Sequence, residues 1–138
     1  MNIPRLFFAI VAVFIVMFAS DALIHGMWLK PDYDAAKAIF RPEAEMGSYL
    51  PCLIFAQIVC ATSFVVVWAM GFAGRSVGTG VVYALLMGVF QQTWVIVNYA
   101  VFPISGDLAV KWYFSGLVQA VLIGITTALV YRPRATIA

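Results

Sequence analysis

Asp21 and His25 stand four residues apart inside an apolar stretch, with Trp28 a further turn along. On a helix that spacing puts carboxylate and imidazole on one face, close enough to share a proton. Counting back from Lys30 along a straight, upright helix, Asp21 lies about 13 Å inside the interface and His25 about 7 Å. An ionised Asp at that depth costs about 2–3 kcal/mol unless paired, so proton or ion handling by Asp21 and His25 is the functional reading. The structural alternative is a wet, salt-bridged pair at a helix end, fixing that helix against the next loop through Lys30 or Arg41. Metal or haem ligation has little to draw on. The chain has one histidine, and only an oligomer would gather a full ligand set.

Four further polar side chains fall within apolar segments: Gln57, Gln91, Asn98 and Gln119. A helical wheel places Gln91 and Asn98 on the face of their helix that also carries Gly80, turned toward protein. Interhelical hydrogen bonds, at about 0.6–2 kcal/mol per contact, are one reading of these amides; a ligand-lining role is the other. Gly74, Arg75, Ser76, Val77 and Gly78 fit the G-x-S-x-G pattern of a hydrolase nucleophile elbow. That motif needs a strand, a sharp turn and a histidine base within reach, and here it reads as a turn between helices. No phosphate-binding loop, metalloprotease or zinc motif is present, no catalytic residue is assigned, and nothing points to nucleic acid.

The elements that must position these groups follow from composition. Of 138 residues 64% are hydrophobic and 10% charged, so lipid is the solvent. The runs 46–74, 76–106 and 112–131 carry no Asp, Glu, Lys or Arg, and each is long enough to span a bilayer. Backbone groups in hydrocarbon must bond internally, and the period-two alternation of a barrel is missing, so the spans are helices. The expected fold is all-α: one domain of four transmembrane helices in an up-down bundle, at about 6–29, 46–72, 79–102 and 112–131. A short extramembrane helix runs from Pro31 through Phe40 in the first loop. The stretch from Leu6 to Leu29 exceeds a secretory h-region and reads as a retained helix. Pro51 is positioned to kink the second span. Cys52 and Cys60 lie roughly 12 Å apart on that helix, too far to bridge.

Trp28, Tyr33, Tyr49, Trp112 and Tyr113 at one end, and Trp68, Tyr83 and Tyr131 at the other, suit interfacial aromatic belts. Arg5, Arg75, Arg132 and Arg134 on the terminal side balance Lys30, Lys37, Arg41 and Lys111 opposite, a tie in the positive-inside rule. All the acids lie on or near the first-loop side, which favours cytoplasmic termini. Such a tie also suits a protein that inserts both ways.

Two stripes of small residues predict how the helices pack. Gly80, Ala84 and Gly88 recur every four residues in the third span, and Gly116, Ala120, Gly124 and Ala128 do so in the fourth. Small side chains let backbones approach closely, where dispersion replaces the hydrophobic effect that lipid does not supply. A tight antiparallel hairpin of the last two helices is expected. A fainter echo, Asp21 and His25 before Pro31 and Thr93 and Asn98 before Pro103, would fit two related halves, but two points of agreement in so short a chain arise readily by chance.

The stretch Ser20, Asp21, Ala22, Leu23, Ile24, His25, Gly26, followed by Leu29, Pro31, Tyr33 and then Arg41, Pro42, Glu43, Ala44, Glu45, Met46, resembles an uncharacterised family of small four-helix bacterial inner-membrane proteins. The resemblance implies a multi-pass protein of that membrane and carries over no catalytic or binding residue. Two functions follow from the residues. The first is a non-catalytic oligomeric or accessory subunit of a membrane complex. The second is a small proton-coupled transporter or channel using Asp21 and His25. An enzyme would need a quinone, haem or lipid to supply chemistry, and no cofactor is specified. Partners are the lipid bilayer and copies of the chain or other membrane subunits.

Overall fold

A computed structural model describes residues 2–132, which leaves Arg134 of the terminal-side tally outside the described residues. They form α1 (Ile3–Leu23), a π-helical continuation (Ile24–Trp28), α2 (Lys30–Ala35), α3 (Glu43–Gly71), α4 (Val77–Val101) and α5 (Gly106–Val130). No strand occurs among the described residues. Four helices, α1 with its π turn and α3 to α5, are long and apolar enough to cross a membrane. They pack as an up-down bundle with α2 in the first loop. The Asn2 amide donates to the Tyr131 hydroxyl (3.3 Å) and Arg5 to the carbonyl of Arg132, so both ends of the described chain meet at one face.

Several boundaries differ from those expected, for local reasons. α5 begins at Gly106 rather than Trp112 because Ser105 caps it, its hydroxyl accepting from the Leu108 amide at 3.2 Å. Its first turns hold charge because Lys111 pairs with Asp107 (2.7 Å) and with Asp32 of α2 (2.8 Å). Ser76 caps α4 in the same way, bonding Thr79, and Gly74 takes a positive φ of 83° in the turn before it. The Gly74–Gly78 motif is thus a helix-to-helix turn. α3 starts at Glu43, where Glu43 and Glu45 complement the helix dipole, and it continues helical through Pro51. α2 stops at Ala35, short of Phe40. The Ala36 amide tightens onto the carbonyls of Asp32 and Tyr33 (both 3.1 Å), and the chain turns Phe40 back onto Tyr33 (5.1 Å between rings) and Trp112 (6.0 Å).

The first span is not one straight α-helix. From Ile24 to Trp28 it widens into a π turn closed by the Leu29 amide on the Ile24 carbonyl at 2.8 Å. An i→i+5 turn holds more residues than an α turn, so Asp21, His25 and the fully buried Leu29 return more nearly to one face.

α4 and α5 form the tightest pair. A Cβ added to Gly80 would stand 2.8 Å from the Ala128 Cβ and 2.9 Å from the Gly124 carbonyl. One added to Gly88 would stand 2.8 Å from the Ala120 Cβ, and one added to Gly124 would strike Ala84 and the Gly80 carbonyl. Both stripes therefore interlock in antiparallel register, with Gly116 lying beneath Gln92 at the next step.

α1 packs on both α3 and α5, whereas α3 and α4 touch through large side chains. Phe64 and Trp68 of α3, with Phe72 at its C-cap, surround Tyr83 of α4 at 4.7, 5.6 and 5.1 Å between ring centres. The Tyr83 hydroxyl donates to the Phe64 carbonyl at 2.8 Å. Trp68, Tyr83 and Tyr131 are consequently core residues, 0%, 5% and 4% exposed, and not the interfacial belt expected of them. Aromatic type alone does not separate the two roles: the core gives the Tyr83 hydroxyl a partner and leaves the buried Trp68 indole N–H without one. A second apolar cluster, Leu29, Ile104, Leu108 and Ala109, closes the first-loop end against Tyr33, Phe40, Val95 and Trp112.

Candidate functional site

Between these two apolar clusters lies a cavity of about 330 Å³ bordered by α1, α3, α4 and α5. Asp21, His25, Gln57, Gln91 and Gln119 all line it, together with Gln92, Cys60, Trp112 and Ser115. Asn98 is half-buried and does not line it. Gln91 borders the cavity but is exposed, which corrects its expected inward placement. The reason is geometric. A four-residue ridge winds about 40° round its helix with each step, so the contact line through Gly80, Ala84 and Gly88 continues to Gln92 and leaves Gln91 on its flank.

Asp21 is the centre of the site. Gln57 of α3 donates its amide to Oδ2, and Gln119 of α5 donates to Oδ1 at 2.6 Å. Gln119 also reaches Ser20 Oγ at 2.9 Å, and that hydroxyl in turn donates to the Val16 carbonyl at 2.7 Å. Among the described residues no Lys or Arg lines the cavity. Lys30 pairs with Glu43 at 3.2 Å and Arg41 stacks on Tyr49 at 3.9 Å, so neither proposed anchor reaches Asp21. The nearby group able to carry positive charge is His25, whose Nε2 stands 3.9 Å from Asp21 Oδ1, within ion-pair range and beyond a hydrogen bond.

His25 is held from the other side by the first loop. Its Nδ1 lies 2.5 Å from the Tyr33 hydroxyl, which also accepts the Trp112 indole N–H at 2.8 Å. An indole N–H only donates, so the Tyr33 proton is free to point at Nδ1. Neutral His25 then carries its own proton on Nε2, facing Asp21. A second proton on Nδ1 requires the Tyr33 hydroxyl to turn away. Burial pushes the Tyr33 hydroxyl above the usual tyrosine range, partly opposed by the Trp112 bond.

Charge type and spacing located Asp21, His25, Gln57 and Gln119. They gave no sign of Tyr33 and Trp112, which read as belt residues, or of Gln92. The last was legible in principle, as the position after Gly88 in the four-residue stripe facing Gly116. Trp28, expected to extend the Asp21 face, is 55% exposed and outside the cavity. Among the described residues no group of three or more His, Cys, Asp or Glu side chains is placed to hold a metal ion. Cys52 and Cys60 are free thiols. No family model, curated protein or solved structure matches the chain.

Proposed function

We propose that the protein handles protons, coupled to a polar or cationic solute, across a bacterial inner membrane, with Asp21 and His25 as the exchanging pair and both termini cytoplasmic. The observation that carries this reading is the placement of an amide-bound carboxylate beside an imidazole, in a cavity lined by no Lys or Arg among the described residues. A carboxylate inside an apolar bundle needs a compensating positive charge. Here the cavity-lining group able to carry that charge is His25, which can gain and lose a proton. The π turn at His25 supports the same reading, because such turns cluster at functional positions. Orientation rests on the excess of acids on the first-loop side.

The test is proton flux in proteoliposomes holding the purified protein. Asp21→Asn is expected to abolish a pH-driven flux that the parent chain supports. Equal flux in parent and variant would remove the proposal.

A second reading, an oligomeric or accessory subunit, is favoured by the first half of α3. Between Glu43 and Val59 every residue but Ile54 and Gln57 is exposed, which leaves a long face for a second copy or another chain. Native mass spectrometry of the gently extracted protein decides it: a stoichiometric companion chain would make the function that of the complex.

A further inference from the structure

We infer that the cavity takes a primary ammonium group, which would sit against the carboxylate of Asp21 and the side-chain oxygen of Gln57. The inference rests on the proposed exchange at Asp21 and names what exchanges with the proton.

The lining is rich in acceptors. Asp21 supplies the charge, and its two amide donors leave lone pairs open toward the cavity. With its nitrogen committed to Asp21, Gln57 has a buried Oε1 that finds no partner. A buried unsatisfied oxygen is costly, and a ligand N–H that draws the Gln57 amide oxygen toward the cavity relieves it. Trp112 adds an aromatic wall, a surface that suits a cation. At about 330 Å³ the space is at the small end of ligand pockets. α3 and α4 approach closely at few points, and Gln57 and Cys60 of α3 line the opening together with Gln91, Gln92 and Val95 of α4.

The ammonium and the imidazolium form of His25 compete for one position beside Asp21. The other titratable groups near that position are Tyr33 of α2, on His25, and Cys60 of α3, in the lining, while the parts of α4 and α5 that line the cavity carry none. Binding is therefore expected to weaken as pH falls through the His25 titration and to release a proton there. No bond is made or broken beyond that transfer from imidazolium to water.

A free amine and the headgroup of phosphatidylethanolamine share this chemistry. The test is calorimetric titration of the full chain in phosphatidylcholine nanodiscs, whose headgroups carry no N–H, with butylammonium, tetramethylammonium and butan-1-ol. Butylammonium should bind saturably and each of the others at least about tenfold more weakly, the scale of one charge-assisted hydrogen bond. Gln57→Leu should reduce the preference for butylammonium over tetramethylammonium, and Asp21→Asn should abolish binding of both. If phosphatidylethanolamine in the nanodisc lowers the apparent affinity for butylammonium, the site is a headgroup site; if it does not, the ligand is a soluble amine. Equal binding of the three probes by the unaltered chain, or no binding of any, would overturn the inference, and neither result depends on a variant folding. The proton reading is scored separately by the imidazole NMR titration of His25. If that titration moves in Asp21→Asn while no ammonium binds, proton exchange stands and the ligand class falls.

Discussion

The α4–α5 interface and the α3–α4 interface solve opposite problems with opposite residues. Along α4–α5, Gly80, Ala84 and Gly88 meet Ala128, Gly124 and Ala120 so closely that no further methyl group fits. Across α3–α4, Phe64, Trp68 and Phe72 stack round Tyr83 and hold the backbones apart, and the cavity opens where that stack ends. Close approach gives dispersion contacts and leaves nothing to bind; wide spacing gives up contacts and creates a place for polar groups to converge. The bundle thus keeps its rigid seam and its site on successive stretches of the same helix, α4, which meet at Gln92.

The largest effect should come from forcing the seam. Gly124→Leu drives a branched side chain into Ala84 and the Gly80 backbone, which cannot move aside as a flexible side chain would. A loss of about 3 kcal/mol or more is expected, read as a collapse of thermal stability in detergent. Gly47→Ala is the control. Its new methyl would meet nothing within 4 Å in the helical interior of α3, so a change below about 1 kcal/mol, in the stabilising direction, is expected. If both variants behaved alike, packing at the seam would not be what holds α4 to α5.

Next comes the spacer. Tyr83→Ala should cost about 3–5 kcal/mol by emptying the ring's place. Tyr83→Phe keeps the ring, loses the bond to the Phe64 carbonyl and should cost about 1 kcal/mol. Binding of butylammonium is the sharper readout. It should survive Tyr83→Phe and fail in Tyr83→Ala if the aromatic stack is what keeps α3 and α4 apart.

The two interfaces were unequally legible in the sequence. A stripe of small residues every four positions has one structural use in lipid, so Gly80 through Gly88 and Gly116 through Ala128 announced their own pairing. Asp21 announced itself by the cost of a carboxylate in an apolar helix, and Gln57 and Gln119 by being amides in the same medium. Tyr33 and Trp112 did not, because an aromatic near a helix end fits a headgroup layer as well as it fits a hydrogen-bonded cluster. The same ambiguity hid Trp68 and Tyr83 in the core. The π turn was invisible as well, since nothing in Ile24–Trp28 forbids an ordinary α turn.

Tyr33 joins the site to the first loop, and its loss is the third test. Tyr33→Phe removes the oxygen shared by His25 and Trp112, at an expected cost of about 1–2 kcal/mol. The alkaline side discriminates further. Burial raises the hydroxyl's pKa in the folded protein, so the stability it contributes is complete below the unfolded value of about 10 and drains away as pH rises through the higher folded value. Tyr33→Phe should remove that alkaline loss, measured as the difference between the two pH–stability curves. Parallel curves would show that Tyr33 is not buried as described.

The smallest effect should come from the other tie between the first loop and the bundle. Lys30 Nζ reaches Glu43 at 3.2 Å, but the side chains are 51% and 86% exposed, so solvent screens the pair and side-chain entropy offsets most of its attraction. Glu43 also sits in the first turn of α3, where a negative charge gains a few tenths of a kcal/mol from the helix dipole, roughly. Glu43→Gln should therefore shift stability by no more than about 0.5–1 kcal/mol and leave the His25 titration where it was. That second measurement decides what holds α2 in place. If the loop is positioned by Tyr33 on His25 and Trp112, and by Asp32 on Lys111, removing the exposed ion pair leaves the imidazole's surroundings intact. A His25 titration that moves in Glu43→Gln would mean that the loop hangs from the surface pair, and that the hydroxyl beside Nδ1 follows the loop rather than fixing it.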